Sequence, residues 1–222
     1  MATLIIILVV VGVIAYFRLS GDPKAIKLLY KDKTPDQKTV IRYFTVEGCL
    51  KKKVTDATFD EILAKNNPDL KERAMAKIGL DEDELKEIDP VCYTGFIFDN
   101  DAYSKLGEDN KWRSSKWQVS WLFFSSTQVY LYQRTISLDE KKEKERTEEF
   151  FYKDIVNFST LSESKEVKVW VKGLEQRKQV DTTELKIVVP GDSFYCAIRT
   201  VDDTVERSVQ GMKAKLREKK NA

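Results

Sequence analysis

The sequence predicts an α+β protein with an N-terminal transmembrane helix, a short helical region, and an antiparallel β-barrel capped by a C-terminal helix. Three observations support this prediction. Residues 2–17 carry no charge, helix-capping residues precede three early prolines, and apolar residues alternate with polar ones after Pro90. We therefore predict a transmembrane anchor at 1–18, a helical region at 22–90, and a barrel with its closing helix at 91–220.

The N-terminal apolar run is followed, and not preceded, by basic residues. At about 1.5 Å per residue such a helix spans roughly 24 Å, slightly less than a hydrocarbon core of roughly 30 Å. Tyr16 and Phe17 would lie at the membrane interface, and the side chain of Arg18 would reach the headgroups. The charge asymmetry predicts a single-pass protein with a cytoplasmic body, with a cleaved signal peptide or a buried core segment as alternatives.

Composition limits the function classes. Lys and Arg total 38 against 36 Asp and Glu, so no overall charge draws the chain to nucleic acid. Histidine, the usual general base and the commonest transition-metal ligand, is missing from the sequence. The sequence also has no phosphate-binding glycine loop and no nucleophile elbow. We expect no catalytic residue, no cofactor and no metal site, and we predict that the protein is not an enzyme.

Capping signals define the helical region. Three dipeptides place a capping side chain before a proline suited to the first turn, at 22–23, 34–35 and 67–68. Residues 58–61 have the pattern of a capping box, and Gly79 has the position of a helix end. The sequence does not decide whether these helices pack on the barrel or form a spacer.

Beyond the helical region the apolar period becomes two, the spacing of β-strands. Four large apolar residues share one face of a strand, namely Trp117, Val119, Trp121 and Phe123. Gln118 and Ser120 lie on the opposite face, and the alternation resumes at 129–138, so we predict a hairpin. The charged stretch 139–149 predicts a solvated loop. The alternation slips near Tyr152, which predicts a bulge or a sharp bend there.

Later strands and one helix complete the predicted domain. Valines at 167, 169 and 171 alternate with Lys168, Trp170 and Lys172, which predicts a strand with one polar face. Residues 190–193 predict a turn, and Cys196 is expected to be a small buried residue of the last strand. The C-terminal helix carries apolar residues at helical spacing, namely Val205, Val209, Met212 and Leu216.

The segments WQVSWLFFSSTQVYLYQ, FFYKDIVNFS and VVPGDSFYCAI, with a closing helix that ends MKAKLREKK, resemble a bacterial pleckstrin-homology-like (PH-like) domain of membrane-anchored proteins. The resemblance covers roughly residues 91–220. It implies a bent barrel that the C-terminal helix closes, and a platform that binds proteins or lipids. Together with the anchor, it implies a location in the bacterial inner (plasma) membrane.

Two sets of residues are candidate binding sites. Trp170, flanked by Lys168 and Lys172 on an exposed strand face, is the candidate for contact with a protein partner or with the preceding helices. The lipid-binding relatives carry basic residues in the loop after the first strand, and the resemblance places three here, namely Lys111, Arg113 and Lys116.

The sequence therefore favours a membrane-tethered, non-catalytic adaptor or scaffold that presents its domain to a protein partner or to another copy of itself. Binding of anionic lipid headgroups is the first alternative, and an enzyme of unrecognised type is the second. We expect no nucleic-acid partner.

Overall fold

The computed structural model describes residues 24–46, 53–80, 89–171, 174–199 and 203–220. The predicted anchor at 1–18, with Tyr16, Phe17 and Arg18, lies outside these residues. The described helices are α1 (Lys24–Leu28), α2 (Pro35–Thr45), α3 (Asp56–Asn66), α4 (Lys71–Ile78) and α5 (Asp203–Lys220). The described strands are β1 (Val91–Ile97), β2 (Tyr103–Leu106), β3 (Trp112–Ser114), β4 (Lys116–Phe124), β5 (Gln128–Ser137), β6 (Glu143–Phe151), β7 (Asn157–Val171), β8 (Leu174–Val189) and β9 (Asp192–Ile198).

The chain is an α+β protein, as the sequence predicted. Its strands form two sheets: a first sheet in the order β1-β4-β5-β6 and a second in the order β3-β2-β7-β8-β9. All neighbouring strands are antiparallel except β2 and β7, which are parallel. Among the helices described, none is both long and apolar enough to cross a membrane.

The described strands do not close into the single barrel that the sequence predicted. A closed barrel needs a continuous ladder between the sheets, but β1 and β9 meet at a local contact, where Arg199 N–H donates to the Thr94 carbonyl (2.8 Å). The two backbones approach so closely there that a Cβ on Gly95 would lie 2.7 Å from the carbonyl carbon of Ala197. Glycine at this position permits the contact.

Side chains of the first sheet make hydrogen bonds with the backbone of β9, the edge strand of the second sheet. The Oε1 atom of Gln118 accepts from Ala197 N–H (2.8 Å), and Gln133 Nε2 donates to the Tyr195 carbonyl (2.9 Å). Gln133 Nε2 also donates to the buried Ser120 hydroxyl (3.0 Å). These bonds satisfy polar groups that lie between the sheets and hold β9 in place.

Strand β4 of the first sheet is buried on both faces, which explains why most of its residues are apolar. On one face the first sheet packs against α2, α3 and α4, forming the helical core with Phe44, Phe59, Phe96, Trp117, Phe123 and Tyr132 among its residues. On the other face lies the inter-sheet core, which includes Leu122, Leu131, Phe158, Leu185, Ile187, Phe194, Cys196, Val209 and Met212. The helical region is therefore part of the folded body, and α5 covers the inter-sheet core.

Several local predictions are confirmed. Thr34 caps α2 in a capping box with Gln37, and Gly79 ends α4 in the left-handed conformation (φ 79°). Gly191 has φ 84° in the predicted 190–193 turn. The chain bends in a 3₁₀ turn at Tyr152–Asp154, where the alternation slipped.

Three local predictions are wrong. Helix α3 starts after Thr55, whose side chain caps it, so residues 58–61 lie inside the helix. Helix α4 starts after Leu70, several residues beyond the expected proline. The charged stretch 139–149 is mostly strand β6, not a solvated loop, because its residues 143–149 pair with β5.

Candidate functional site

The β7–β8 hairpin positions the candidate tryptophan. Strands β7 and β8 have 15 and 16 residues, whereas β9 pairs with β8 only over residues 183–189. We call residues 163–171 and 174–182 the far half of this hairpin, and residues 157–162 and 183–189 its near half. One face of the far half packs Val167, Val169 and Val180 into a small cluster with Phe98 and Trp112. Because side chains alternate along a strand, Lys168 and Trp170 project from the opposite face. The sequence predicted this alternation correctly.

Trp170 lines an open cleft of about 590 Å³, which we call the Trp170 cleft. The segment after α1 and helix α2 form one wall, the β1–β2 turn and β2 a second, the β5–β6 turn a third, and the hairpin a fourth. The lining residues are Leu29, Lys33, Ile41, Asn100, Asp101, Ala102, Tyr103, Asp139, Glu140, Lys142, Lys168, Trp170 and Glu175.

Two half-buried aromatic rings give the Trp170 cleft its apolar surface. Trp170 is half-buried, helix α2 contacts β7, and Ile41 of α2 lines the same cleft. Tyr103 stacks at 6.2 Å from Phe44 of the helical core, and burial raises the pKa of its hydroxyl. The rings are thus held by the fold while part of each remains open to a ligand.

Charges of both signs surround these rings. Three lysines, Lys33, Lys142 and Lys168, and four carboxylates, Asp101, Asp139, Glu140 and Glu175, line the same cleft. Burial raises the pKa of Asp139, while a hydrogen bond with Ser115 acts in the opposite direction. Aromatic residues are enriched in protein interfaces, whose rims are polar. The third residue of the predicted partner site, Lys172, lies outside the described residues.

The three residues of the predicted lipid site do not form one exposed basic surface. Arg113 is 2% exposed and Lys116 is bonded to Asp99 at 2.7 Å, whereas Lys111 is exposed. Headgroup binding requires cations that are open to solvent, and two of these three already have carboxylate partners. The lipid site stays a prediction that the placement of Arg113 and Lys116 does not favour.

Arg113 instead joins α3 to the β2–β3 hairpin. Its guanidinium donates to both carboxylate oxygens of Asp60 (3.0 and 2.8 Å) and to both of Asp109 (2.8 and 3.0 Å). Asp56 lies 3.7 Å away and accepts from the Tyr43 hydroxyl. The bonds from Arg113 lower the pKa of Asp109. Paired bonds of this kind fix the geometry of a contact, so the cluster is structural.

A second cluster missed by sequence reasoning surrounds Glu145 of β6. Its carboxylate accepts from Arg73 of α4 (2.8 Å), lies 3.3 Å from Lys77, and accepts from the Tyr132 hydroxyl. These contacts, with Arg73 foremost, lower the pKa of Glu145 to about 2. Burial and the bond to Glu145 raise the pKa of Tyr132 to about 12. The cluster attaches α4 to the first sheet.

Cys196 shows the predicted behaviour of a small buried residue. It is fully buried in the inter-sheet core, and this burial raises the pKa of its thiol to about 11. Within the described residues, Cys, Asp and Glu side chains do not form a group of three that could hold a metal ion.

No family model, curated protein or solved structure matches this chain.

Proposed function

We propose that this protein is a membrane-tethered, non-catalytic adaptor that presents the Trp170 cleft to a protein partner. The observation that carries the proposal is a half-buried tryptophan in an open cleft of about 590 Å³ with charges of both signs at its rim. Aromatic anchors in partly desolvated pockets supply much of the binding energy of protein interfaces. Lys168 of the same strand face would contribute to the polar rim.

The tether in this proposal is the segment at 1–18, whose residues 2–17 carry no charge, with Tyr16, Phe17 and Arg18 at the interface of the bacterial inner membrane. The body, on the cytoplasmic side, would be a distant PH-like domain. An antiparallel arrangement of strands covered by one C-terminal helix supports that relationship, although the two sheets stay separate where a PH-like barrel would close.

The adaptor proposal is tested by affinity purification of the full-length protein from cross-linked native membranes. The Trp170→Ala variant should recover at least tenfold less of the principal partner protein than the wild type. Phe151→Ala is the matched control, because Phe151 is 47% exposed and does not line the cleft. Equal recovery by the Trp170→Ala variant and the control would contradict the proposal.

The tether is tested separately by treating intact spheroplasts with protease. The body should remain intact until the membrane is permeabilised. Digestion from outside, or recovery of the full-length protein without membrane, would contradict a cytoplasmic body on an uncleaved anchor.

A further inference from the structure

Strand β8 has a free edge in the far half of the hairpin. β9 pairs only with residues 183–189 of β8, whereas β7 pairs with residues 174–188. Along residues 174–182 the side of β8 opposite β7 therefore borders no described strand. Residues 174–179 are all exposed. An edge of this kind presents backbone donors and acceptors with which another strand can pair.

The backbone of β8 limits the registers in which this edge can pair with a second copy. The Val188 carbonyl accepts from the N–H of Val156, directly before β7 (2.7 Å). Because successive residues direct their backbone groups to opposite sides of a strand, even-numbered residues of β8 face β7 and odd-numbered residues face the free edge. In a regular antiparallel pair, outward-facing residues lie opposite each other. Two copies of β8 can therefore pair only in registers in which one residue lies opposite itself.

The charged side chains of the edge exclude most of these registers. Two acidic and two basic residues give the stretch 174–182 no net charge, so it favours neither an acidic nor a basic chain. A register centred on Glu175, Arg177 or Lys178 places that charge opposite itself, and like charges in this position destabilise a strand pair. A register centred on Gln179 or a later residue carries Glu175 past residue 182, where β9 already occupies this side of β8.

The register centred on Gln176 meets both conditions. It places Glu175 of each copy opposite Arg177 of the other, and opposite charges in this position stabilise a strand pair. Each of these pairs also exchanges both of its backbone hydrogen bonds. Leu174, which is 68% exposed, lies opposite the aliphatic part of Lys178 in this register. The edge is thus complementary to itself.

We propose that two copies of this chain form an antiparallel dimer through residues 174–178 of β8, with Glu175 of one copy opposite Arg177 of the other. Arg177 now pairs with Glu166 at 2.9 Å, but both side chains are half exposed, so the exchange of partner costs little.

The dimer adds a residue of the second copy to the Trp170 cleft. Trp170 lies directly opposite Glu175 in the β7–β8 pair, and Glu175 lines the cleft. Because residues opposite each other share a face of the sheet, Arg177 of the second copy would lie beside Glu175 at the rim. Both Trp170 clefts would then open on the same face, which allows bivalent binding. This consequence rests on the proposed function, whereas the dimer itself does not.

The register is tested by disulfide cross-linking of the full-length protein in native membranes. Position 176 is exposed and forms a non-hydrogen-bonded pair with itself, in which Cα atoms about 4.5 Å apart are within reach of a disulfide. Gln176→Cys should therefore give a covalent dimer under mild oxidation. Gln179→Cys is the matched control, because this glutamine is also exposed but its two copies would lie roughly 20 Å apart. The wild type, with its three native cysteines, gives the background.

The charge pairing is tested in the Gln176→Cys protein. Adding Glu175→Lys or Arg177→Glu places like charges opposite each other and should reduce the yield of the covalent dimer by about tenfold. Adding both substitutions exchanges the two charges and should restore the yield, which also shows that the edge is still folded.

No covalent dimer above the wild-type background, or equal yields from positions 176 and 179, would overturn the proposal. So would single charge variants that cross-link as well as their parent, or a double variant that does not recover. Trp170→Ala separates this test from that of the adaptor. It leaves residues 174–178 in place, so the Gln176→Cys cross-link should be unchanged in it whether or not the partner protein is lost.

Discussion

The two halves of the β7–β8 hairpin have one alternating sequence pattern but different surroundings. The near half contributes Phe158, Leu185 and Ile187 to the inter-sheet core, which the first sheet and α5 cover. The far half places Trp170 in an open cleft and leaves Leu174 68% exposed at its tip. Alternation therefore predicts which side chains share a face, but what covers that face decides whether they stabilise the fold or remain open to a partner.

The comparison extends to charged groups. Where helices α3 and α4 attach to the strands, Arg113 and Glu145 are held by partners on other elements, so their charges serve the fold. In the far half of the hairpin, Arg177 and its partner Glu166 are each about half exposed. Exposed pairs of this kind contribute little to stability and can be exchanged for pairs with another molecule.

The largest expected difference between the two halves is in how much the free energy of unfolding falls when a leucine is replaced by alanine. Leu185→Ala should lower the free energy of unfolding by about 2–5 kcal/mol, because Leu185 is fully buried and its removal leaves a cavity. Leu174→Ala, the same chemical change in the far half, should alter it by about 0.5 kcal/mol or less. Denaturant titration of both variants measures this difference. Equal destabilisation would show that the tip of the hairpin is also packed into a core.

The second effect is the loss of stability when the buried guanidinium of Arg113 is removed. Arg113→Met should lower the free energy of unfolding by about 2–3 kcal/mol, since it leaves Asp56, Asp60 and Asp109 close together without their shared cation. Lys111→Met is the control, because Lys111 is exposed. A stable Arg113→Met variant that has lost anionic-lipid binding would instead support the lipid site predicted from the sequence.

The third and smallest effect depends on pH. The folded state lowers the pKa of Glu145 from 4.5 to about 2, so its contribution to stability is present above pH 4.5 and is lost as the pH falls towards 2. Glu145→Gln should lower the free energy of unfolding by about 1–2 kcal/mol at pH 7, and the difference from wild type should shrink below pH 4.5. Parallel unfolding curves at pH 7 and pH 3 measure it. A difference that does not change with pH would contradict the assigned pKa.

Local signals in the sequence predicted a large part of the fold. Thr34 and Gly79 were recognised because the residues that cap a helix lie within a few positions of its ends. The faces of β4 and of the far half of β7 were recognised because side-chain alternation is a property of the strand itself. The burial of Val209 followed from the apolar spacing of α5 in the same way.

What the sequence did not predict depends on distant residues. The stretch around Glu145 has the composition of a loop, and its strand is stabilised by Arg73 and Lys77, about seventy positions earlier. The resemblance to PH-like domains made Arg113 a candidate lipid ligand, but Asp60 of a separate helix pairs with its guanidinium. The sequence left open whether Trp170 contacts a partner or the preceding helices, because no local pattern specifies how the helical region packs.

The central claim, that the Trp170 cleft receives a protein partner, is tested most directly by photo-cross-linking. A photoreactive phenylalanine analogue is placed at Trp170 in one full-length variant and at Phe151 in another, and both are irradiated in native membranes. The account predicts a discrete cross-link to another protein from position 170 that position 151 does not give. Cross-links from position 170 only to lipid or within the chain, or the same products from both positions, would contradict it.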